Sequence, residues 1–263
     1  MKLGVVESLG IAEFWLSLGL PVEWVRGSFD DLMKQKDLAG IFVNPDDSAV
    51  LLPQFKKVSR LVQETGFVDF VEITRGEAHP KSYMREHGIE IFVRSVAALN
   101  NQKSAYISGS GPWAQLFCHL AIQMGFRDIS LVAENVDTAT DMAHRLEKTC
   151  FGVNFRVLLH SELTLQPNNG SLLVNTLDAL ENPEVIADLA YLNFLSLEGL
   201  VVEVREAKEL NTLADEAENS KIAMIHADRL QAFREVKSFS HFPGLLPWSL
   251  DEYFEKRKSF LVK

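Results

Sequence analysis

Cysteine is scarce: Cys118 and Cys150 are the only two in 263 residues. So few thiols exclude a disulfide framework, and without a CxxC pair or a Cys/His cluster the sequence offers no metal site. A thiol-poor chain suits a reducing compartment. Met1–Ser8 reads as a strand rather than as a basic leader followed by an apolar segment, so a cytoplasmic location is expected. Basic residues are also in deficit, 26 Lys and Arg against 36 Asp and Glu, for a net charge of -10. A nucleic-acid footprint needs clustered positive charge, so no nucleic-acid partner is expected. The one short basic patch, Lys256–Lys258, reads as a solvated helix end. No apolar run is long enough to span a bilayer, so no membrane partner is expected either. Repeats and low-complexity segments are absent. Apolar side chains are abundant, at 47%, enough for one large core or two modest ones.

The most informative stretch is 104–135. An apolar run, Ala105–Ile107, leads into Gly109-Ser110-Gly111. Pro112–Met124 has helical character and stops at Gly125; a second apolar strand, Ile129–Ala133, ends in Glu134 and Asn135. Strand, glycine turn, helix, strand and acid follow one another as in a dinucleotide-binding βαβ unit. Gly109 permits the sharp turn, Gly111 lets a pyrophosphate approach the backbone, and the small Ala114 lets the helix pack close to the strand. Pro112 suits the first helical position, where an N–H is not needed. The helix N-terminus favours an anion. Glu134 can accept hydrogen bonds from the ribose hydroxyls and would repel a 2′-phosphate, which favours NAD over NADP. A Rossmann-like domain whose glycine turn serves packing alone is the plainer alternative.

Around this stretch the chain alternates strand and helix. Strands are expected at Leu3–Val6, Val22–Val25, Gly40–Val43 and Phe67–Ile73, with helices at Ile11–Leu18, Phe29–Gln35 and Ala49–Thr65. Arg75–Gly88, with His79-Pro80, reads as irregular, and Ile89–Leu99 as a helix. Beyond Asn135, helices are expected at Thr138–Lys148, Pro183–Leu189 and Leu210–Ala217. The intervening strands lie near Asn154–Leu159, Ser171–Asn175, Leu200–Val204 and Ile222–Ile225. Ala227–Val236 and Leu250–Lys258 read as closing helices. The expected fold class is α/β: an open α/β substrate-type domain at residues 1–100, then a Rossmann dinucleotide-binding domain with its closing helices at residues 101–263.

This layout resembles the shikimate dehydrogenase family, which joins an N-terminal substrate domain to a C-terminal Rossmann domain with the substrate in the cleft between them. The resemblance rests on Ile107–Ala114, similar to the family's glycine-rich turn, on Leu131–Ala139 (LVAENVDTA), on Leu173–Thr176 (LVNT) with Asn175 retained, on Leu200–Glu206, and on Gly88–Leu99 (GIEIFVRSVAAL). It implies cofactor contacts from Gly109, Ser110, Gly111, Pro112, Ala114, Glu134, Asn135 and Asn175. It also implies substrate contacts from Asn44 and Arg234.

The departures from the family fall on its chemistry. Gly4-Val5-Val6-Glu7-Ser8 runs almost directly into a helix where the family has a serine-containing substrate loop. The family's third strand ends in a segment carrying its acid/base lysine; here Ile41–Asp47 puts Asp47 nearest that position. The family's Asn-Thr-Asp matches Glu90-Ile91-Phe92, its later tyrosine matches Glu206, its substrate-touching glutamine matches Arg234, and its NADP-selecting arginine matches Glu134. Oxidising a secondary alcohol needs a group to take the hydroxyl proton. An aspartate in place of the lysine reverses the charge, and a phenylalanine cannot act as its carboxylate partner.

Weak candidates for a relocated base are Asp47, His79 and Lys81. Asp46 or Asp47 reads more readily as an N-cap of the next helix, and His79 and Lys81 more readily as surface-loop residues. Arg234 could grip a carboxylate with two parallel bonds or sit exposed on its helix. Trp113, next to the glycine turn, closes the turn if it points outward and leaves it open if it packs inward. Phe239–Trp248 reads as a C-terminal segment packed across the sheet, or as a lid or partner surface. The leading expectation is a shikimate dehydrogenase-like protein without ordinary shikimate dehydrogenase activity, binding a dinucleotide and acting as a sensor or scaffold. The alternatives are an active NAD(P)-dependent oxidoreductase for a different small hydroxy or keto acid, and a nucleotide-free scaffold for a protein partner.

Overall fold

The computed structural model describes the whole chain except Gly10, His87, Glu134, residues 206–211, Pro243, Leu246, Pro247, Val262 and Lys263. It is an α/β protein of two compact units. One holds Met1–His87 and Gln231–Lys263, the other Gly88–Leu230, so the closing helices cluster with the N-terminal unit.

The first unit is built on β1 (Lys2–Val6), α1 (Ala12–Ser17), β2 (Glu23–Gly27), α2 (Phe29–Met33), β3 (Leu38–Phe42), α3 (Ser48–Leu51), α4 (Arg60–Thr65), β4 (Phe70–Thr74), β5 (Glu77–Lys81) and α5 (Tyr83–Glu86). Its sheet runs β2-β1-β3-β4-β5, parallel through β3 and antiparallel beyond. Alternation along the strands sorts side chains to two faces. Leu3, Val5, Phe42 and Phe70 join the cluster of Phe14, Trp15, Phe239 and Tyr253. Val6, Ile41, Val43 and Val71 join Leu32, Leu51 and Val62 on the other face.

Two sequence expectations fail here. The single helix expected over Ala49–Thr65 is broken: a 3-10 turn at Leu52–Gln54 follows α3, Phe55 is extended, and Ser59 caps a new helix by accepting from the Val62 N–H. Pro53 lacks the N–H that a continuing helix needs. Arg75–Gly88, expected to be irregular, contains β5 and α5. Arg75 (φ 54°) and Gly76 (φ 78°) both take left-handed conformations and form a two-residue hairpin turn. Pro80 argues against a strand in the sequence, yet β5 is an edge strand, where a missing donor is tolerated.

The second unit holds α6 (Ile89–Val96), β6 (Ser104–Ser108), α7 (Pro112–Gln123), β7 (Asp128–Ala133), α8 (Val136–Glu147), β8 (Asn154–Leu159), β9 (Gly170–Asn175), α9 (Pro183–Leu189), β10 (Leu195–Glu203), α10 (Thr212–Asn219) and β11 (Ala223–Ile225). Its six strands are all parallel in the order β11-β10-β9-β6-β7-β8. The chain runs outward from β6 to β8, returns to β9, and runs outward again. That reversal makes a switch point at the carboxyl ends of β6 and β9, the place where open α/β sheets bind ligands. The helices α11 (Ala227–Ser240) and α12 (Leu250–Leu261) complete the chain, and the division between units falls inside α11, after Leu230. Among the described residues no helix is long and apolar enough to cross a membrane.

A buried polar network ties α1, α11 and α12 together. The Trp15 indole N–H donates to the Tyr253 hydroxyl (3.0 Å), which donates to Glu235 (2.6 Å). Arg257 donates to the same carboxylate at 3.3 Å, and Glu235 is only 2% exposed. A buried charge stripped of one partner is costly. Glu235→Ala is therefore expected to lower unfolding stability by roughly 3–5 kcal/mol, read from urea denaturation. Tyr253→Phe should cost about 1–3 kcal/mol. A loss below about 1 kcal/mol for Glu235→Ala would mean that apolar packing alone holds these helices.

Candidate functional site

In the second unit the glycine turn leaves the end of β6. Gly109 has φ 94°, and its N–H donates to the Val132 carbonyl at 2.9 Å. A Cβ there would lie 2.5 Å from Thr176 Oγ1, so both backbone and packing require glycine. Ser108 Oγ donates to Asn175 Oδ1 (2.8 Å), the Leu177 N–H donates to the same oxygen (3.1 Å), and Thr176 Oγ1 donates to the Ser108 carbonyl (2.6 Å). These bonds stitch the ends of β6 and β9 together beneath the turn. Asn175 is buried with its amide engaged in this stitch.

Gly111 differs from Gly109. Its φ of −84° is ordinary, and a Cβ at Gly111 would meet nothing within 4 Å. Among the described residues no packing constraint calls for glycine there. Gly111 is the N-cap of α7 and has no side chain with which to cap the first turn; Pro112 follows in the first turn and Ala114 is fully buried. Trp113 is 4% exposed, so its indole does not stand in solvent over the turn. Ser110 Oγ lies 3.4 Å from Thr138 Oγ1 and links the turn to α8. Asn135 Oδ1 caps α8 by accepting from the Asp137 (2.9 Å) and Thr138 (3.4 Å) N–H groups. Glu134, the expected ribose acid, and Glu206 lie outside the described residues.

In the first unit, Asn44 follows the end of β3, and its Oδ1 accepts from the Asp46 N–H at 3.2 Å. Asn44 is therefore the cap that the sequence assigned to Asp46 or Asp47. Asp47 makes no side-chain cap and instead accepts from Ser8 Oγ at 3.2 Å, so the short turn Glu7–Leu9 brings a serine to the end of β3.

A second group of polar side chains gathers around Asp69. This carboxylate is buried and accepts from the Tyr83 and Met84 N–H groups, both at 2.8 Å. Burial pushes its pKa up to about 6, while those two N–H bonds and the Arg234 charge pull it down. Arg234 is 8% exposed, and its Nε is buried with no hydrogen-bond partner among the described residues. Lys81 pairs with Glu72 at 3.2 Å, His241 lies 3.9 Å from the same carboxylate, and the His241 ring packs on Tyr83 with centroids 4.7 Å apart. Burial also raises Glu86, against the charges of Lys81 and His241, and raises the Tyr83 hydroxyl.

Of the sequence candidates, the fold brings Lys81 and Arg234 into this group. It leaves Asp47 with Ser8, and His79 3.9 Å from Glu77 near the hairpin turn. Sequence reasoning misses Asp69, Glu72, Tyr83, Glu86 and His241. Asp69 had a signal, a lone acid inside the apolar run Phe67–Val71. Among the described residues no group of three His, Cys, Asp or Glu side chains could hold a metal ion.

No protein-family model matches the sequence, and no curated protein matches it. Solved structures do match in fold. Shikimate 5-dehydrogenase from Thermus thermophilus, in complex with NADP(H) and shikimate, superposes with a TM-score of 0.76 at 17% identity, covering 98% of this chain and 99% of that one. Quinate dehydrogenase from Corynebacterium glutamicum, in complex with NAD, gives 0.76 at 14% identity over 98% and 99%. Ligand-free 5-ketofructose reductase of Gluconobacter sp. strain CHM43 gives 0.75 at 14% identity over 99% and 98%. The chain has the fold of the shikimate and quinate dehydrogenases over nearly its whole length.

Proposed function

We propose that this protein binds a nicotinamide dinucleotide at Gly109–Ala114, with NAD preferred over NADP, and that it does not carry out ordinary shikimate oxidation. The observation that supports it most is Gly111: beyond its two chain neighbours, no atom of the described residues lies within 4 Å of where its Cβ would be, at the N-terminus of a helix on the switch point of a parallel sheet. Close approach of a pyrophosphate explains that choice; packing does not. The NAD preference rests on Glu134, whose charge would repel a 2′-phosphate. The loss of ordinary activity rests on Asp47, bound to Ser8 where the resemblance expects a lysine. A protein that binds the cofactor without that chemistry suits a sensor or scaffold.

One observation favours a second reading, an active oxidoreductase for another small hydroxy or keto acid. Among the described residues Arg234 holds a buried guanidinium nitrogen without a hydrogen-bond partner, and such groups are rarely left unsatisfied. A substrate carboxylate would satisfy it. Asp69, titrating near neutrality beside it, has the acidity of a general acid or base.

Calorimetry with NAD and NADP tests the first reading. The wild type should bind NAD more tightly than NADP. Gly111→Val should weaken binding roughly tenfold or more while leaving the unfolding midpoint almost unchanged, because φ is ordinary there and an added Cβ has open space among the described residues. Equal binding by both proteins would place the cofactor elsewhere, and no binding by the wild type would leave the nucleotide-free scaffold. Shikimate with either cofactor should give no reduced cofactor.

Asp69 makes a separate prediction. Its folded pKa of about 6 lies above the ordinary 3.8, so its protonated form favours folding. That contribution, roughly 3 kcal/mol, is complete below about pH 4 and is lost as pH rises through about 6. Carboxyl-carbon NMR should show this midpoint. In Arg234→Gln it should move further up, because a positive charge that favours the carboxylate is gone; an unmoved midpoint would show that the two side chains do not interact.

A further inference from the structure

A cavity of about 570 Å³ lies in the first unit, lined by α2, the Gln54–Lys57 segment and the start of β5. Its volume is within the range of small-molecule sites. Glu72 pairs with Gly40 and Thr74 with Glu77, so the hairpin turn sits at the end of the sheet where β3 begins. Asn44 and Asp47 follow the opposite end of β3. The cavity is therefore separate from the strand ends where the resemblance places substrate, and it belongs to neither group of side chains described above.

Its lining has two parts. The apolar part is Phe29, Phe55 and Met33, with the two rings edge-to-face at 6.1 Å between centroids and Met33 39% exposed. The charged part is Lys34, Lys56 and Lys57 together with Asp30 and Glu77. Lys34 is paired with Asp31 at 3.0 Å and Lys57 with Glu77 at 3.3 Å; among the described residues Lys56 has no carboxylate partner. Three lysines against two acids leave the lining with a net positive charge, in a chain whose overall charge of -10 repels anions, and Lys56 is the lysine left to meet one. The apolar wall favours a flat hydrocarbon body, and the lysines favour an anionic group at its edge.

We propose that this cavity is a binding site for a small aromatic anion, a single or fused ring bearing one carboxylate or sulfonate. The ring stacks against Phe29 and Phe55 beside Met33, and the anionic group meets Lys56 and Lys57. The site stands independently of the dinucleotide turn.

The test uses the full chain, labelled with nitrogen-15 and titrated with 1-anilinonaphthalene-8-sulfonate, alongside 1-naphthalenemethanol as a neutral control. Saturable amide shifts confined to residues 29–34, 54–57 and 76–79, with weaker binding of the neutral compound, are expected. Lys56→Glu should weaken the sulfonate about tenfold and leave the neutral compound unchanged. Both lysines are exposed, so the variant should fold as the wild type does, and its amide spectrum verifies that. Shifts centred elsewhere, shifts that do not saturate, or equal sulfonate affinity in wild type and Lys56→Glu would overturn the proposal. An unchanged cofactor titration in Lys56→Glu would separate this site from the glycine turn.

Discussion

Where β6 and β9 end side by side, Asn175 accepts from Ser108 Oγ and from the Leu177 N–H, and Thr176 reaches back to the Ser108 carbonyl. Parallel strands so far apart in the chain have no local turn to fix their register. These side-chain bonds supply the fixing at the carboxyl end, where the ladder stops and backbone groups would otherwise be left buried without partners. The glycine turn is cut to fit them: Thr176 fills the space in which a Cβ on Gly109 would sit. Asn175 thus helps hold the end of β6 from which the glycine turn leaves.

The first unit treats two neighbouring charges on one helix in opposite ways. Glu235 is buried and fully engaged by Tyr253 and Arg257. Arg234, one residue earlier and almost as deeply buried, donates no hydrogen bond from its Nε to any described residue. Consecutive positions on a helix point about 100° apart, so the two side chains enter different surroundings. The first is what a structural ion pair looks like. The second keeps a charge in a low-dielectric setting with the nearby Asp69 itself drawn toward neutrality by burial. The charge of Asp69 accounts for part of that arrangement; the proposed substrate carboxylate would satisfy the remaining Nε–H.

Much of the fold was legible because the parallel strands are continuous apolar runs and the helices carry their own boundaries. Ser28 caps α2 through the Asp31 N–H, and Gly66 ends α4 in a left-handed conformation, as their residue types indicate. The misreadings have local physical causes. Pro80 disguised β5, since its cost in a strand disappears at an edge that sequence alone does not reveal. Pro53 was outweighed by the apolar spacing around it. The grouping of Asp69, Glu72, Lys81, Tyr83 and His241 was illegible for a different reason. It is assembled by strand pairing and by a helix end more than 150 residues away in the chain, and no spacing rule reaches that far.

The two glycines of the turn separate what the fold requires from what it does not. Gly109 follows from structure: a left-handed backbone and a crowded Cβ position leave no other residue. It would be glycine whether or not anything bound there. Gly111 is under neither constraint among the described residues, and a serine there would cap α7 with its hydroxyl at an ordinary φ. Glycine at a position that tolerates a side chain loses chain entropy on folding for no internal return. At 14–17% identity the solved structures share the fold alone, and shared fold does not fix function. A bound nucleotide is therefore supported by the glycine that the fold leaves unexplained, with the one that the fold explains serving as its control.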